Sequence, residues 1–296
     1  AQIVRDEGIA QPILLGNLEK IKSILAENAL DLGDTPIIDP WKEEETQARY
    51  GQVLFEKRQR RGITFYEAKK LMRERNHFGA MMVELGEADA LISGLTRNYP
   101  STIRPALQII GTEPGVRKVA GMYLLLTKKG PLFLADTTVN VDPTAEDLVD
   151  ITALVAKSIQ KFNIQPRIAM LSYSNFGSNE TPSGLKMREA VKMLHAMYPD
   201  ITVDGEIQAN FALNTTLLND NFGFSTLASG PANTLIFPNL DSGNIAYKLL
   251  QEVAGAEAVG PILVGLNKPV HILQLGSSVR EIVNMVTIAV VDAQSR

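Results

Sequence analysis

The sequence predicts an α/β protein with a largely parallel sheet in each of two lobes. Strand-length apolar runs alternate with segments of helical period along the chain, as βαβ connections require. With 296 residues, the chain reaches the length, ~250–300 residues, at which single hydrophobic cores stop growing and chains divide. Gly111 to Gly115, marked by glycine and proline, supplies the break.

Each element has its own signature. The start, AQIVRDEGIAQPILLG, reads as the end of a helix followed by a strand, as in a piece cut from a longer chain. Pro12 to Leu15 is that strand, and Asn17 caps a helix with Leu18, Ile21, Ile24 and Leu25 on one face. Ile37-Ile38 is a short strand stopped by Asp39-Pro40. Trp41 to Arg75 is charged and helical, broken at Gly62, with Thr64 capping Phe65 to Arg75 and the charges on a solvated face. Ala80 to Leu85 is expected as a strand, with Ala88 to Ile92 beside it. Leu95 to Pro105 is a polar segment carrying Arg97 and Arg104, ahead of a helix at Ala106 to Ile110. Gly121 to Leu126 and Leu132 to Ala135 pair as strands about a Lys128-Lys129-Gly130 turn. Asp142-Pro143-Thr144 opens a helix whose Leu148, Ile151, Val155, Ile159 and Phe162 face the core.

RIAMLSYSNFGS, Arg167 to Ser178, changes character halfway. Ile168 to Leu171 suits a buried strand, and Ser172, Ser174, Asn175, Gly177 and Ser178 suit a loop feeding the next helix. Such a loop presents backbone N–H groups and hydroxyls to an anionic ligand, or is an ordinary connection; both readings stay open. The following helix has Met187, Ala190, Val191, Leu194 and Met197 on one face. Ile201 to Val203 is a strand running into Asp204-Gly205-Glu206, whose carboxylates suit either acid–base chemistry or an Asp-Gly turn. Thr234 to Phe237 is a strand, Pro238 to Asn244 a polar loop, and the next helix is expected to bury Ile245, Leu249 and Val253. Ile262 to Val264 and Val270 to Leu273 are strands, and Gly276-Ser277-Ser278 starts a terminal helix with Ile282, Val283, Val286 and Val290 apolar.

Composition narrows the function. A net charge of −4 without a basic run argues against a nucleic-acid surface. The absence of cysteine excludes disulfides, thiolate nucleophiles and cysteine metal sites. No apolar run approaches the ~20 residues of a membrane span and no signal peptide is visible, so a cytoplasmic protein without a membrane partner is expected. Dinucleotide, P-loop and zincin signatures are missing. S-x-x-K at Ser158–Lys161 and Ser183–Lys186 lacks its partner motifs and reads as coincidence. His77, His195 and His271 lack metal-ligand spacing and read as structural; no metal site is expected. Four loops, Arg97–Arg104, Ser172–Ser178, Asp204–Gln208 and Asn239–Asn244, could converge on one cleft suited to a phosphate-bearing anion.

The stretches STIRPALQII, AMLSYSNFGS, VDGEIQAN, SGPANTLIFPNLDSGNIAYK and VGPILVGLNKPV, in this order, resemble the phosphate acetyltransferase (phosphotransacetylase) family over essentially the whole chain. The resemblance implies a dimer of two three-layer α/β lobes of the isocitrate/isopropylmalate dehydrogenase-like type, with coenzyme A and acyl phosphate in the cleft. It implies a first lobe of 1–110 plus 261–296 and a second of 111–260. Arg58, in EKRQRRGIT, and Arg104, in STIRP, resemble the family's active-site arginines. Ser174, Asn175, Gly177 and Ser178 would line the pocket.

The departures are concentrated on charge. Where the family has a serine and an arginine serving coenzyme A and acyl transfer, this chain has Gln274 and Leu275, and its proposed aspartate base is Glu281. Family arginine, lysine and aspartate positions hold Glu252, Pro231 and Asn210. Losing one electrostatic contact at a transferring group commonly costs ~10²–10³ in rate, so several losses argue against a competent transferase. GLTRNYP, SYSNFGS, NLDSGNIA and PVHIL are more narrowly similar to the C-terminal phosphotransacetylase-like domain of bacterial NADP-dependent malic enzymes. That resemblance implies an acetyl-CoA-sensing, oligomer-forming domain without chemistry of its own, with NADP and a divalent metal in an N-terminal malic enzyme part. The rival expectation is an active phosphate acetyl- or butyryltransferase.

Overall fold

The structure, a computed structural model, describes residues 1–96 and 98–296. It divides into two units, Ala1–Glu113 with Leu266–Arg296, and Pro114–Gly265. The first opens with α1 (Gln2–Asp6), β1 (Leu14–Leu15), α2 (Leu18–Glu27), β2 (Ile37–Ile38), α3 (Glu44–Arg58), α4 (Phe65–Leu71), α5 (Arg75–Leu85), β3 (Leu91–Ser93) and α6 (Tyr99–Ile109). The second contains β4 (Ala120–Thr127), β5 (Gly130–Ala135), α7 (Ala145–Gln160), β6 (Arg167–Leu171), α8 (Pro182–Met197) and β7 (Thr202–Ile207). It continues through α9 (Ala209–Ala212), α10 (Thr215–Phe222), β8 (Thr234–Ile236), α11 (Leu240–Ala254) and β9 (Glu257–Val264). β10 (Val270–Ile272) and α12 (Val279–Gln294) return to the first unit.

In the first unit the caps sit where side-chain chemistry puts them. Asn17 Oδ1 accepts from Lys20 N at 2.9 Å, and Thr64 and Glu67 form a capping box at the start of α4. Three expectations fail. Ala80 to Leu85 is the last part of helix α5, where Phe78 through Val83 are all buried; a helix apolar all round shows no amphipathic period and mimics a strand. The polar stretch before Ala106 is already helix: Asn98 Oδ1 caps α6 by accepting from Ser101 N at 3.1 Å. Arg104 therefore stands on a helix, not in a loop. Arg97 lies outside the described residues. Among the described residues this unit has no extended parallel sheet, only the parallel pairs β1–β2 and β3–β10.

The second unit is built on a six-stranded sheet in the order β7-β6-β8-β5-β4-β9. β5, β8, β6 and β7 are parallel, and β4 runs antiparallel to both β5 and β9. Alternation along the strands separates two layers. On one face Phe162, just beyond α7, stacks on Phe133, and Thr152 Oγ1 meets Met170 Sδ at 3.5 Å. Leu148, Ile151, Val155 and Ile159 of α7 are fully buried there, together worth about 6–12 kcal/mol of transfer free energy. On the other face Tyr123, Leu125, Leu134, Ala169, Leu171 and Leu235 meet Ala212, Leu218 and Tyr247. Tyr247 of α11 stacks on Tyr123 at 4.0 Å.

The domain boundary expected at 260/261 falls inside β9, which pairs with β4 from Glu257 to Val264; the unit changes after Gly265. Pro261 does not end this strand because an edge strand needs no ladder donor on its outer side. Ile245, Leu249 and Val253 are not core: α11 turns Gly243 and Tyr247 inward instead. Met197 is likewise exposed at the end of α8. Among the described residues no helix is long and apolar enough to cross a membrane.

Candidate functional site

Parallel β5, β6, β7 and β8 deliver their connecting loops to one edge of the sheet. β6 and β8 are neighbours there, yet α8 carries the chain from β6 toward β7, while α11 carries it from β8 toward β9 at the opposite end. Adjacent strands whose connections depart in opposite directions form the switch point at which open α/β sheets bind ligands. The loops at this edge are Asp136–Thr144, Ser172–Thr181 and Phe237–Asn239, with Gln208 at the end of β7.

The SYSNFGS loop is wound around Glu206, which is fully buried in β7. Its carboxylate accepts from Ser174 Oγ at 2.9 Å, Gly177 N at 2.8 Å, and Arg188 Nε and Nη2 at 3.1 and 3.2 Å. Burial pushes this carboxyl up, but the Arg188 guanidinium, the Gly177 N–H and the Ser174 hydroxyl outweigh it, and the net shift is downward. Other loop amides are also committed. Ser174 N donates to Ser172 Oγ, Asn175 N to Ser178 Oγ, Phe176 N to Glu206 O and Ser178 N to Asn175 O. Gly177 adopts φ +92°, a conformation glycine takes without steric cost.

The expectation of free N–H groups is therefore corrected: the loop has the composition of an anion nest, and its anion is the protein's own carboxylate. Ser174 is 1% exposed and spent on Glu206, so it lines no pocket. Asn175 uses Oδ1 to accept from Gln208 N at 2.8 Å, and Gln208 Nε2 donates to Tyr173 O at 2.6 Å. Gly177 and Ser178 are exposed at the rim. Asp204 and Glu206 are not a turn, since both lie within β7. Asp204 accepts from Ser225 Oγ at 2.7 Å and Thr226 N at 2.8 Å, a structural use of the carboxylate.

Two further groups order this edge without having been singled out for it. Asp136, buried at the end of β5, accepts from Gly121 N, Thr138 N and Val139 N on one oxygen and from Asn140 N and Nδ2 on the other. Lys186 of α8 donates to Asp142 Oδ1 at 2.8 Å and Pro238 O at 2.9 Å, joining the loops after β5 and β8. Lys186 belongs to an S-x-x-K motif that reads as coincidence in the sequence, and its role here is a tie between loops. Neither it nor Arg188 announces its partner by spacing, because each pairs across a different strand. His195 Nε2 bonds Val203 O at 2.8 Å, a structural contact.

The remaining candidates lie in the first unit. Arg58 ends α3 and is half-buried, while Arg104 is exposed on α6; neither pairs with a carboxylate among the described residues. Lys57, beside Arg58, donates to Ile109 O and so brings the end of α3 to the end of α6. Gln274 and Leu275 follow β10. Gln274 N donates to Ser277 Oγ at 3.2 Å, and Leu275 is exposed. Glu281 closes a capping box: its Oε2 accepts from Ser278 N at 2.6 Å and its N–H donates to Ser278 Oγ at 3.2 Å. Among the described residues no group of three or more histidine, aspartate or glutamate side chains could hold a metal ion.

Residues 1–290 match the family described as Phosphate acetyl/butaryl transferase. The chain belongs to this family. It is 37% identical over 295 residues to a phosphate acetyltransferase of Clostridium acetobutylicum, covering 97% of this chain and 88% of that protein. It is 39% identical over 299 residues to an NADP-dependent malic enzyme of Escherichia coli, covering 98% of this chain but only 38% of the enzyme. A phosphotransacetylase structure from Streptococcus pyogenes superposes with a TM-score of 0.89 at 36% identity, covering 99% of this chain and 89% of that one. The phosphotransacetylase fold and the family resemblance read from the motifs are thus established. Likeness to transferases and to part of the malic enzymes is of similar strength.

Proposed function

We propose that this chain is the C-terminal phosphotransacetylase-like part of an NADP-dependent malic enzyme, which binds acetyl-CoA or coenzyme A as a regulator and turns over no acyl phosphate. The observation that carries this reading is the state of the family's catalytic segment. Gln274 and Leu275 supply no cation, and the Glu281 carboxylate is spent on capping α12 rather than held free as a thiol base. Arg58 and Arg104 are left for the ligand's anionic groups, with Gln274 of the same unit as a polar contact. In this reading NADP and a divalent metal belong to the remainder of a longer, cytoplasmic protein. Regulation requires that the ligand bind two states of the parent enzyme with different affinity.

The second reading is an active phosphate acetyl- or butyryltransferase, in which the thiolate sulfur of coenzyme A attacks the acyl carbon and phosphate departs. The Clostridium relative, matched over 88% of its length, supports it at least as well. One sample separates the two. Calorimetric titration with acetyl-CoA is expected to give a saturable heat that weakens about tenfold or more in Arg104→Ala, with no acetyl phosphate formed from acetyl-CoA and phosphate. Turnover in the ordinary enzyme range, about 1 s⁻¹ or faster, overturns the first reading in favour of the second. Absence of both heat and turnover overturns both.

A further inference from the structure

In the first unit β3 and β10 run parallel, Ser93 beside Ile272, and release their chains at the same edge. The two exits stay together. Leu273 N donates to Ser93 O at 2.7 Å, and Gly94 lies so close that a Cβ there would overlap Leu273 O. Beyond this point the chains lead to the starts of α6 and α12. Gln274 N donates to Ser277 Oγ and Ser277 N to Gln274 O, a turn that holds Leu275 at its tip. Three apolar side chains emerge at this edge: Leu95 is 41% exposed, Leu275 67%, and Val279, the first residue of α12, 62%. A single exposed leucine is ordinary, but these three leave on the order of 300 Å² of apolar surface at one strand edge, the size of patches that serve interactions.

We infer that this edge receives the acyl end of a coenzyme A thioester and selects longer, apolar acyl groups over acetyl, with Leu275 as the main determinant. The inference rests on the coenzyme A-binding reading above and adds which thioester the site prefers. Leu275 stands beside Gln274, where the family's motif carries an arginine that serves coenzyme A and acyl transfer. An arginine there draws anionic oxygen to the acyl carbon; a leucine offers the same place an apolar contact and no charge. The cations lie farther along α6. Arg104 is exposed about 8 Å from the start of the helix. Arg58 follows Lys57, whose ammonium reaches Ile109 O at the helix's other end. A ligand that uses both features carries its anionic groups at one end and an apolar group at the other. A coenzyme A thioester divides in this way; an acyl phosphate, whose charge adjoins its acyl carbon, does not. Full burial of one methylene is worth about fourfold in affinity, and an open edge that covers one side of the acyl chain realises about twofold.

Calorimetric titration of the 296-residue chain with acetyl-, butyryl- and hexanoyl-CoA tests this. Hexanoyl-CoA, with four more methylenes, is expected to bind about fifteenfold more tightly than acetyl-CoA, with butyryl-CoA between them. The heat-capacity change on binding becomes more negative along the series, as burial of apolar surface requires. In Leu275→Arg the hexanoyl-to-acetyl ratio falls to about threefold or less, and in Val279→Ser to about sevenfold. Circular dichroism and thermal midpoint stay native in both variants, because both side chains are exposed. Saturable binding of all three thioesters with affinities within about twofold overturns this inference and leaves the coenzyme A reading standing. A chain-length preference that survives intact in Leu275→Arg also overturns it, since the acyl group then lies elsewhere. No saturable heat from any of the three overturns the inference together with the reading on which it rests.

Discussion

Glu206→Gln removes one charge and changes almost no volume, so its effect isolates what the carboxylate does. In the native protein Glu206 is fully buried and accepts four hydrogen bonds, two of them from Arg188 and one each from Ser174 and Gly177. A glutamine amide can keep the Ser174 and Gly177 contacts with its oxygen, but its NH₂ group then faces Arg188 Nε, donor against donor. Breaking a fully buried ion pair costs about 3–5 kcal/mol. The Arg188 side chain is 37% exposed, so solvent screens part of the interaction, and the expected loss is about 2–3 kcal/mol. For a domain of this size that is a fall of about 4–12 °C in Tm. Because the Glu206 carboxyl is shifted downward on folding, its stabilisation is complete above the unfolded value near 4.3 and disappears as pH falls through the lower folded value. Wild type and variant should therefore differ most above pH ~5 and converge below it. Calorimetry across pH measures this, and hydrogen exchange at the Phe176 and Gly177 amides measures the loop. A loss under about 0.5 kcal/mol at pH 7, with exchange at those amides unchanged, would refute the view that Glu206 organises SYSNFGS.

Thr144→Ala removes the hydroxyl that accepts from Asp147 N at 3.2 Å in the α7 capping box; urea unfolding should register about 1 kcal/mol, and no change would mean the cap is redundant. Gly243→Ala would drive a Cβ into the carbonyl oxygen of Asp136. The β5 loop and α11 must then separate, with an expected cost of about 2–4 kcal/mol; a native Tm would show that this close approach is not needed.

Local chemistry was legible wherever a residue acts on its near neighbours. Asn17, Thr64 and the hairpin at Lys128-Lys129-Gly130 all fall where sequence places them, as does the inward face of α7, because caps, turns and amphipathic periods involve residues a few positions apart. The failures share a different cause. Ala80 to Leu85 and the Ile245–Leu249–Val253 ridge are both apolar, and apolar character records a need for cover without naming what supplies it. For α5 the cover comes from all sides, which erases the period. For α11 the ridge stays largely exposed, because the helix turns Gly243 and Tyr247 inward instead.

The SYSNFGS loop divides the same way. Its small polar composition pointed to a loop at a strand end and left open whether that loop gathers N–H groups around an anion or is an ordinary connection, since glycine and hydroxyl side chains permit either winding locally. Which anion occupies it depended on the pairing of β6 with β7, which brings Glu206 under a loop some thirty residues earlier, and on α8 crossing back to set Arg188 beside both. Family membership, α/β class, helix caps and the loss of cations at Gln274, Leu275 and Glu281 were determined by the sequence. The tertiary structure alone decided that Ser174 is buried, that Glu206 is satisfied by Arg188, Gly177 and Ser174, and that Arg58 and Arg104 meet no carboxylate among the described residues: those outcomes depend on contacts between distant segments, and no spacing encodes them.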